Sequence, residues 1–368
     1  MVMFYRVLVG LLLICVYSAH VNASVEFHHI DWEIVCDNTL TCRVAGLGEE
    51  VDKTDSHISI LLERKAGANQ PIIGGYVKLA SSKNDEDIRE RRKPQNYPLS
   101  LIINNVSLGK LTEKPNSIYQ LTPHQLKALL ETLKTKNNKI IFVQTDNDRV
   151  WRIYERGYNA VMLKMDEVQG RIGTIGAIIK PGKKNENYVN KPIPAPVIKK
   201  APVLKTGDGK KITLEEVISI FPDFKSRYID DPKGYCSYDL DEPDEQDEMY
   251  NPSFYLYKLD KNNDLLQASC SMGYVLTDAH WIIPKKKNKV KKIKFVTVKE
   301  FPVYRDGVIK TNRRMREILS GCWEYEEFTW NGQEFVLSSI MVTGVSCDSK
   351  YYGAYQIWKL PIWVTQVK

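Results

Sequence analysis

The sequence predicts an α+β protein: an N-terminal β-sheet domain with two helices, followed by a mainly-β, C-terminal domain stapled by disulfides. Three observations carry this prediction. Short apolar stretches recur along the chain at roughly the period of two that a half-buried strand requires. Only three segments have helix-start or helix-face chemistry. Seven cysteines are present, and the six beyond residue 23 form an even set, which suggests three disulfides in an oxidising compartment. A chain of 368 residues is long enough for two cores of ordinary size, so disulfides reinforce the fold rather than replace a core.

Residues 1–23 have the layout of a secretory signal. Arg6 supplies the positive start, residues 7–16 are apolar, and Val21-Asn22-Ala23 offers a cleavage site before Ser24. The apolar run is shorter than the roughly 20 residues a membrane-spanning helix needs. Cys15 follows Ile14 rather than a small residue, which argues against a lipoprotein anchor. The expectation is an exported, periplasmic protein (or one secreted outside the cell), with no transmembrane segment after signal cleavage.

The stretch Trp32 to Cys42 predicts a hairpin. Trp32, Ile34 and Cys36 alternate with Glu33 and Val35, Asp37-Asn38 favour a turn, and Cys36 and Cys42 are symmetric about Thr39. Hairpin geometry therefore pairs Cys36 with Cys42. Strands are expected at 57–63, at 71–79 with a bend at Gly74-Gly75, and at 97–106 with a return at 108–111. Residues 83–93 are charged and read as a loop. Thr122-Pro123-His124-Gln125 combines a cap, a first-position proline and a capping-box glutamine. Leu126, Leu129, Leu130 and Leu133 then form one apolar helix face. Strands at 140–144 and 150–154 precede a second helix over 157–168, which Gly170 can end in a left-handed conformation.

Residues 180–204 read as a Pro/Lys-rich linker between a domain at 24–179 and one at 205–368. Beyond it, 213–220 has a capped helix start at Thr213 and Glu216, and strands follow at 254–259, 265–270, 293–298, 335–339 and 356–367. Sequence neighbours in a meandering sheet pair Cys236 with Cys270 and Cys322 with Cys347.

The net charge of +7 conceals separated blocks. Segment 180–211 holds nine Lys against Glu186 and Asp208, 285–294 holds seven Lys and no acid, and 239–248 holds seven acids and no base. Export turns the basic blocks toward solvated loops rather than nucleic acid. The acidic block lacks the glycine-centred loop of a specific calcium site, and His28-His29 is an adjacent pair near the mature start, so no metal or cofactor is expected.

Enzyme motifs are missing: no Gly-x-Ser-x-Gly elbow, His-Glu-x-x-His helix or phosphate loop is present. The polar group Asp166, Glu167, Gln169 and Arg171 is the main candidate binding edge. Its structural alternative has Asp166 and Gln169 bonding backbone at the helix end and Arg171 pairing with a carboxylate. The aromatics around Trp323 and Trp330 offer either a sugar- or peptide-binding groove or core packing.

Several stretches resemble the exported bacterial family DUF1176. They are Trp32-x-x-x-Cys36-Asp37-Asn38-x-x-x-Cys42, Glu63-Arg64-Lys65-Ala66-Gly67, the run from Ala160 through Asp166, Gln169, Gly170 and Arg171 to Thr174, Gly321-Cys322, and Trp330-Asn331-Gly332-Gln333-Glu334-Phe335. Six cysteines and a Pro-rich linker also fit. Trp323 after Cys322, where the family usually has Gly, and Ile175, near a common Pro position, depart from the pattern. The resemblance implies a bacterial envelope protein and transfers no catalytic residues. The first domain is also similar, more faintly, to invasion-associated protein B. The function expected is a non-catalytic binding or structural module acting on an envelope protein or cell-wall component. The alternative is an envelope hydrolase attacking cell-wall glycan through paired carboxylates.

Overall fold

The structure is a computed structural model, described here for residues 24–51, 56–81, 98–116, 118–144, 149–205, 207–229, 253–272, 275–286, 293–300, 302–314, 322–344 and 358–368. The signal segment, the 83–93 loop, the acidic block, and Cys236 and Cys347 lie outside these residues, as does the side chain of Cys270.

An 11-stranded sheet occupies the N-terminal half. Its strands are β1 (Val25–His29), β2 (Trp32–Cys36), β3 (Cys42–Glu50), β4 (Ser56–Arg64), β5 (Ile72–Ser81), β6 (Leu99–Ile103), β7 (Val106–Lys110), β8 (Thr112–Lys114), β9 (Ile118–Gln120), β10 (Ile140–Gln144) and β11 (Arg149–Ile153). Helix α1 (Pro123–Leu133) lies between β9 and β10, and α2 (Tyr158–Val168) follows β11. The main path runs β7-β6-β10-β11-β3-β4-β5-β9-β8, with β1 and β2 branching from β3.

The branch arises because β3 is long. Its first half pairs with β2, placing Cys36 opposite Cys42, and its end pairs with β11. Gly46 and Gly48 allow this: a Cβ on Gly46 would stand 2.6 Å from the Trp32 ring, and one on Gly48 would stand 2.2 Å from the Arg152 carbonyl oxygen. The Trp32 indole donates to the Tyr154 carbonyl at 2.8 Å, which pins the branch to the end of β11.

The clamp closes as expected. Cys36 and Cys42 form a disulfide. Asp37 organises the turn, its Oδ1 accepting from the Thr39 N–H and hydroxyl and its Oδ2 pairing with Arg43 at 2.8 Å. One detail differs: β2 is buried at all five positions rather than on alternate ones. Val35, expected to face outward, packs in a cluster with Val342 and Leu360 from the C-terminal half.

Helix α1 has the expected capping box between Thr122 and Gln125. The Gln125 amide also donates to the Leu108, Gly109 and Lys110 carbonyls, tying the helix start to β7. The single apolar face splits in two: Leu129 and Leu133 are buried in the core, while Leu126 and Leu130 are only half-buried.

The 180–204 segment makes one short 3-10 turn at Glu186–Tyr188, then runs extended through its prolines, and it is anchored along its length. Asn190 donates to the Gln169 carbonyl and Ile193 to that of Thr39. Strand β12 (Val197–Ile198) pairs in parallel with the C-terminal strand β23 (Gln366–Val367).

The C-terminal half contains two five-stranded antiparallel sheets. The first holds β13 (Lys210–Ile212), β14 (Phe254–Lys258), β15 (Asn263–Met272), β16 (Val275–Pro284) and β17 (Lys294–Glu300). The second holds β18 (Val303–Arg305), β19 (Val308–Arg314), β20 (Trp323–Trp330), β21 (Phe335–Val342) and β22 (Leu360–Val364). Helix α3 (Leu214–Ile220), with its expected capping box, covers one face of the first sheet through Val217, and Phe221 and Phe224 just beyond it join the same cluster with Trp281 of β16. Tyr257, Leu265 and Ile282 on the other face meet Tyr304, Ile309 and Trp330 of the second sheet. Asn38 and Val364 exchange two hydrogen bonds of 3.1 and 2.7 Å, and the Trp358 indole donates to Ser59, so the two halves touch at the clamp.

Candidate functional site

Helix α2 begins after Gly157, whose φ of +99° puts its backbone where an added Cβ would stand 1.8 Å from the His29 carbonyl oxygen. It turns Val161, Met162, Met165 and Asp166 inward. The Asp166 Oδ2 accepts the backbone N–H groups of Ile178 and Ile179 at 2.7 and 3.0 Å. Gly170 then closes the helix at φ +67°, and the chain delivers Arg171 to a fully buried position.

All five N–H donors of Arg171 are used. Nε donates to Gln169 Oε1 at 2.9 Å, and Nη1 donates to both Glu186 oxygens at 3.0 and 3.1 Å. Nη2 donates to the Lys65 and Gly67 carbonyls. Glu186 also accepts the Asn69 N–H at 2.6 Å. The Gln169 amide donates to the carbonyls of Leu40, in the clamp turn, and Arg64. Three stretches quoted from the sequence therefore meet here: the clamp, the Arg64–Gly67 segment and the 160–174 run. The arrangement is the structural alternative foreseen for Asp166, Gln169 and Arg171.

Arg64 stands beside this cluster. Its Nε donates to the Gln70 carbonyl and its Nη2 to that of Gly176, each at 2.8 Å. Its Nη1 faces Asp166 Oδ1 at 3.5 Å, and neither atom has a hydrogen bond. Burial, and then the charge of Arg171, pull the Arg64 pKa down to about 10. Burial pushes the Asp166 carboxyl above its ordinary value, against the opposing pull of the two N–H donors and the guanidinium groups. Burial alone acts to raise Glu186 as well, but the Asn69 N–H, the Arg171 hydrogen bond and the Arg171 and Arg64 charges outweigh it and hold this carboxyl low. Two cations and two anions share the cluster, and their polar atoms are directed at one another and at backbone. Such an array fixes chain segments; it offers no free acid or base to a substrate.

Arg64 also lines a groove of about 400 Å³ along the outer flank of α1. Leu126 and Leu130 form one wall, and Ile72 and Ile178 contribute apolar surface opposite. Lys127, Lys134 and Glu131 complete its charged lining. This groove explains why the helix face is split: one leucine pair serves the core and the other the groove.

Glu167 is exposed and pairs with Lys164 at 3.1 Å. Trp323 is half-buried, with its backbone N–H on Thr343 Oγ1. Trp330 is 1% exposed, in the core between the two C-terminal sheets. The structure does not bring Trp323 or Trp330 to the α2 cluster. Cys322 is buried and disulfide-bonded. The expected pairs Cys236–Cys270 and Cys322–Cys347 involve side chains outside the described residues. His28 and His29 are exposed at the end of β1. Among the described residues, no group of three or more His, Cys, Asp or Glu side chains is placed to hold a metal ion.

Sequence reasoning missed Arg64 and Glu186 as members of the cluster. The signal for Glu186 was present, since it is one of only two acids among nine lysines in 180–211.

The model of the family described as Protein of unknown function (DUF1176) matches residues 26–366. The chain belongs to this family. The matched range contains the clamp, the buried cluster, the 180–204 segment and both C-terminal sheets. No curated protein and no solved structure shows significant similarity to the chain. Among the described residues, no helix is long and apolar enough to cross a membrane.

Proposed function

We propose that this DUF1176 protein is an exported, non-catalytic binding module of the bacterial envelope that takes an amphiphilic ligand in the α1 groove. Export rests on Arg6, the 7–16 apolar run and Ala23. Residues 24–179 form the receptor unit, and 205–368 form a second unit docked against its clamp. The groove carries the reading: a largely apolar trough of about 400 Å³ with Lys127 and Lys134 in its lining suits a ligand with an apolar body and an anionic end. The hydrolase alternative needs two carboxylates facing one groove, about 5–5.5 or 6.5–9.5 Å apart. Glu131 is the one carboxylate among the described lining residues here, and Glu155 is the one in the cavity beside the start of α2.

Calorimetric titration of the chain lacking residues 1–23 with decanoate and with decanol tests this. Saturable binding of decanoate, weaker binding of decanol, and a loss of roughly tenfold or more on Leu130→Asp are expected. Absence of saturable decanoate binding, or binding indifferent to Leu130→Asp, overturns it.

A further inference from the structure

A second cavity lies far along the chain from the α1 groove, at the open end of the two C-terminal sheets. Its volume is about 530 Å³. Asn262 and Asn263 come from the β14–β15 turn, Lys286 follows β16, and Lys294 begins β17. The opposite side is the β20–β21 turn, Trp330-Asn331-Gly332-Gln333-Glu334. Asn331 Oδ1 holds this turn by accepting the Gln333 and Glu334 N–H groups at 2.8 and 2.9 Å. Gly332, at φ +98°, supplies the left-handed residue. Lys294 Nζ reaches across to the Gln333 carbonyl at 3.3 Å, so the cavity joins the two sheets.

Its charge marks it as a site. Lys286 and Lys294 both line it, no carboxylate stands among its described lining residues, and neither ammonium has a carboxylate partner among the described residues. Trp330 also lines it, but its indole nitrogen is sealed within the core and is not open to the cavity.

We propose that this cavity binds a sugar-sized phosphate monoester. The two ammonium groups match the charge of about −1.5 to −2 on a phosphate monoester at neutral pH, and lysine holds phosphate as a point charge without needing a fork. The carboxamides of Asn262 and Gln333 offer both donors and acceptors to hydroxyls. The volume far exceeds that of bare phosphate and falls within the range of small-molecule sites. This site is independent of the α1 groove.

Titration of the full chain without its signal, followed by calorimetry and tryptophan fluorescence, tests the site with glucose 6-phosphate, glucose and inorganic phosphate. One saturable site for glucose 6-phosphate is expected, tighter than inorganic phosphate, with glucose not binding. Lys286→Gln with Lys294→Gln, an exposed pair whose loss leaves the core intact, weakens glucose 6-phosphate by roughly tenfold or more. Equal affinity for glucose, no saturable binding of glucose 6-phosphate, or an affinity unchanged in the lysine double variant overturns the proposal.

Discussion

Arg171 and Trp330 are both sealed from solvent, one in each half of the molecule, but their polar atoms are treated in opposite ways. Every N–H of Arg171 has an acceptor, and those acceptors come from the clamp-proximal backbone, the helix end and the 180–204 segment. The Trp330 N–H has none, and the same holds for the Trp281 N–H, Gln267 Oε1 and both ring nitrogens of His280. Each such orphan costs about 1–3 kcal/mol. The difference teaches where to look for structure and where for function. A donor set as fully paired as that of Arg171 holds a frame together and has nothing left for a ligand. Unsatisfied buried atoms occur in both halves, Arg64 Nη1, Asp166 Oδ1 and the Tyr158 hydroxyl in the first as well as Trp281, Trp330 and His280 in the second, so it is the full pairing of Arg171 that sets it apart.

Breaking the saturated cluster is expected to have the largest effect. Glu186→Gln leaves Arg171 buried without its counter-charge, and removing one partner of such a pair costs about 3–5 kcal/mol. Guanidinium unfolding should show this as a lowered midpoint. A cost below about 1 kcal/mol would mean that the 180–204 segment peels away without disturbing α2. Opening the clamp comes next. Cys36→Ser with Cys42→Ser releases a short loop worth about 2.4 kcal/mol on the chain-entropy model, measured by the same unfolding curve. If the double serine variant is as stable as the parent, the Asp37 turn and its neighbours hold the hairpin without the disulfide.

The buried His280 should respond to pH instead. Burial lowers the His280 pKa from an ordinary 6.5 to about 3. Between those values the unfolded chain binds a proton that the folded chain excludes. The contribution is therefore neutral above pH 6.5, and stability is lost as pH falls toward 3, at up to about 1.4 kcal/mol per pH unit. At pH 5 the loss relative to pH 7 is about 2 kcal/mol. His280→Leu should flatten this part of the stability–pH curve. An unchanged slope would show that the proton is taken up elsewhere.

Much of the frame was legible because it is local. The capping boxes at Thr122 and Thr213, the Gly74-Gly75 bend and the Trp32–Cys42 hairpin each depend on residues a few positions apart. Strands β16, β18 and β19 were missed because their apolar residues are interrupted by Asp278, His280, Arg305, Lys310 and Arg313, of which His280 is fully buried while Arg305, Lys310 and Arg313 are exposed. The cluster around Arg171 was half legible. Helix periodicity and Gly170 pointed to Asp166 and Gln169, but nothing local places Glu186 fifteen residues on, or carries Arg64 beside it across a separation of more than one hundred. The burial of Val35 was invisible for the same reason, since its cover comes from Val342 and Leu360.

The smallest effect sharpens the comparison most cleanly, because it lies one residue from a buried member of the cluster. Asp166 is fully buried and accepts two backbone N–H groups, whereas Glu167 points to solvent and meets Lys164 one turn away. Exposed pairs at this spacing contribute about 0.3–0.5 kcal/mol and weaken with salt. Glu167→Gln should therefore shift the unfolding midpoint barely beyond error at low ionic strength and not at all in high salt. Lys164 is left solvated rather than stranded, so no desolvation cost follows. Asp166→Asn, by contrast, keeps a carboxamide oxygen for both N–H groups but replaces the charged oxygen facing Arg64 at 3.5 Å with an NH2 donor, so its cost should persist in high salt. A large, salt-resistant loss for Glu167→Gln would mean that this side chain has a partner in the folded state beyond Lys164, and the division between frame and surface along α2 would have to be redrawn.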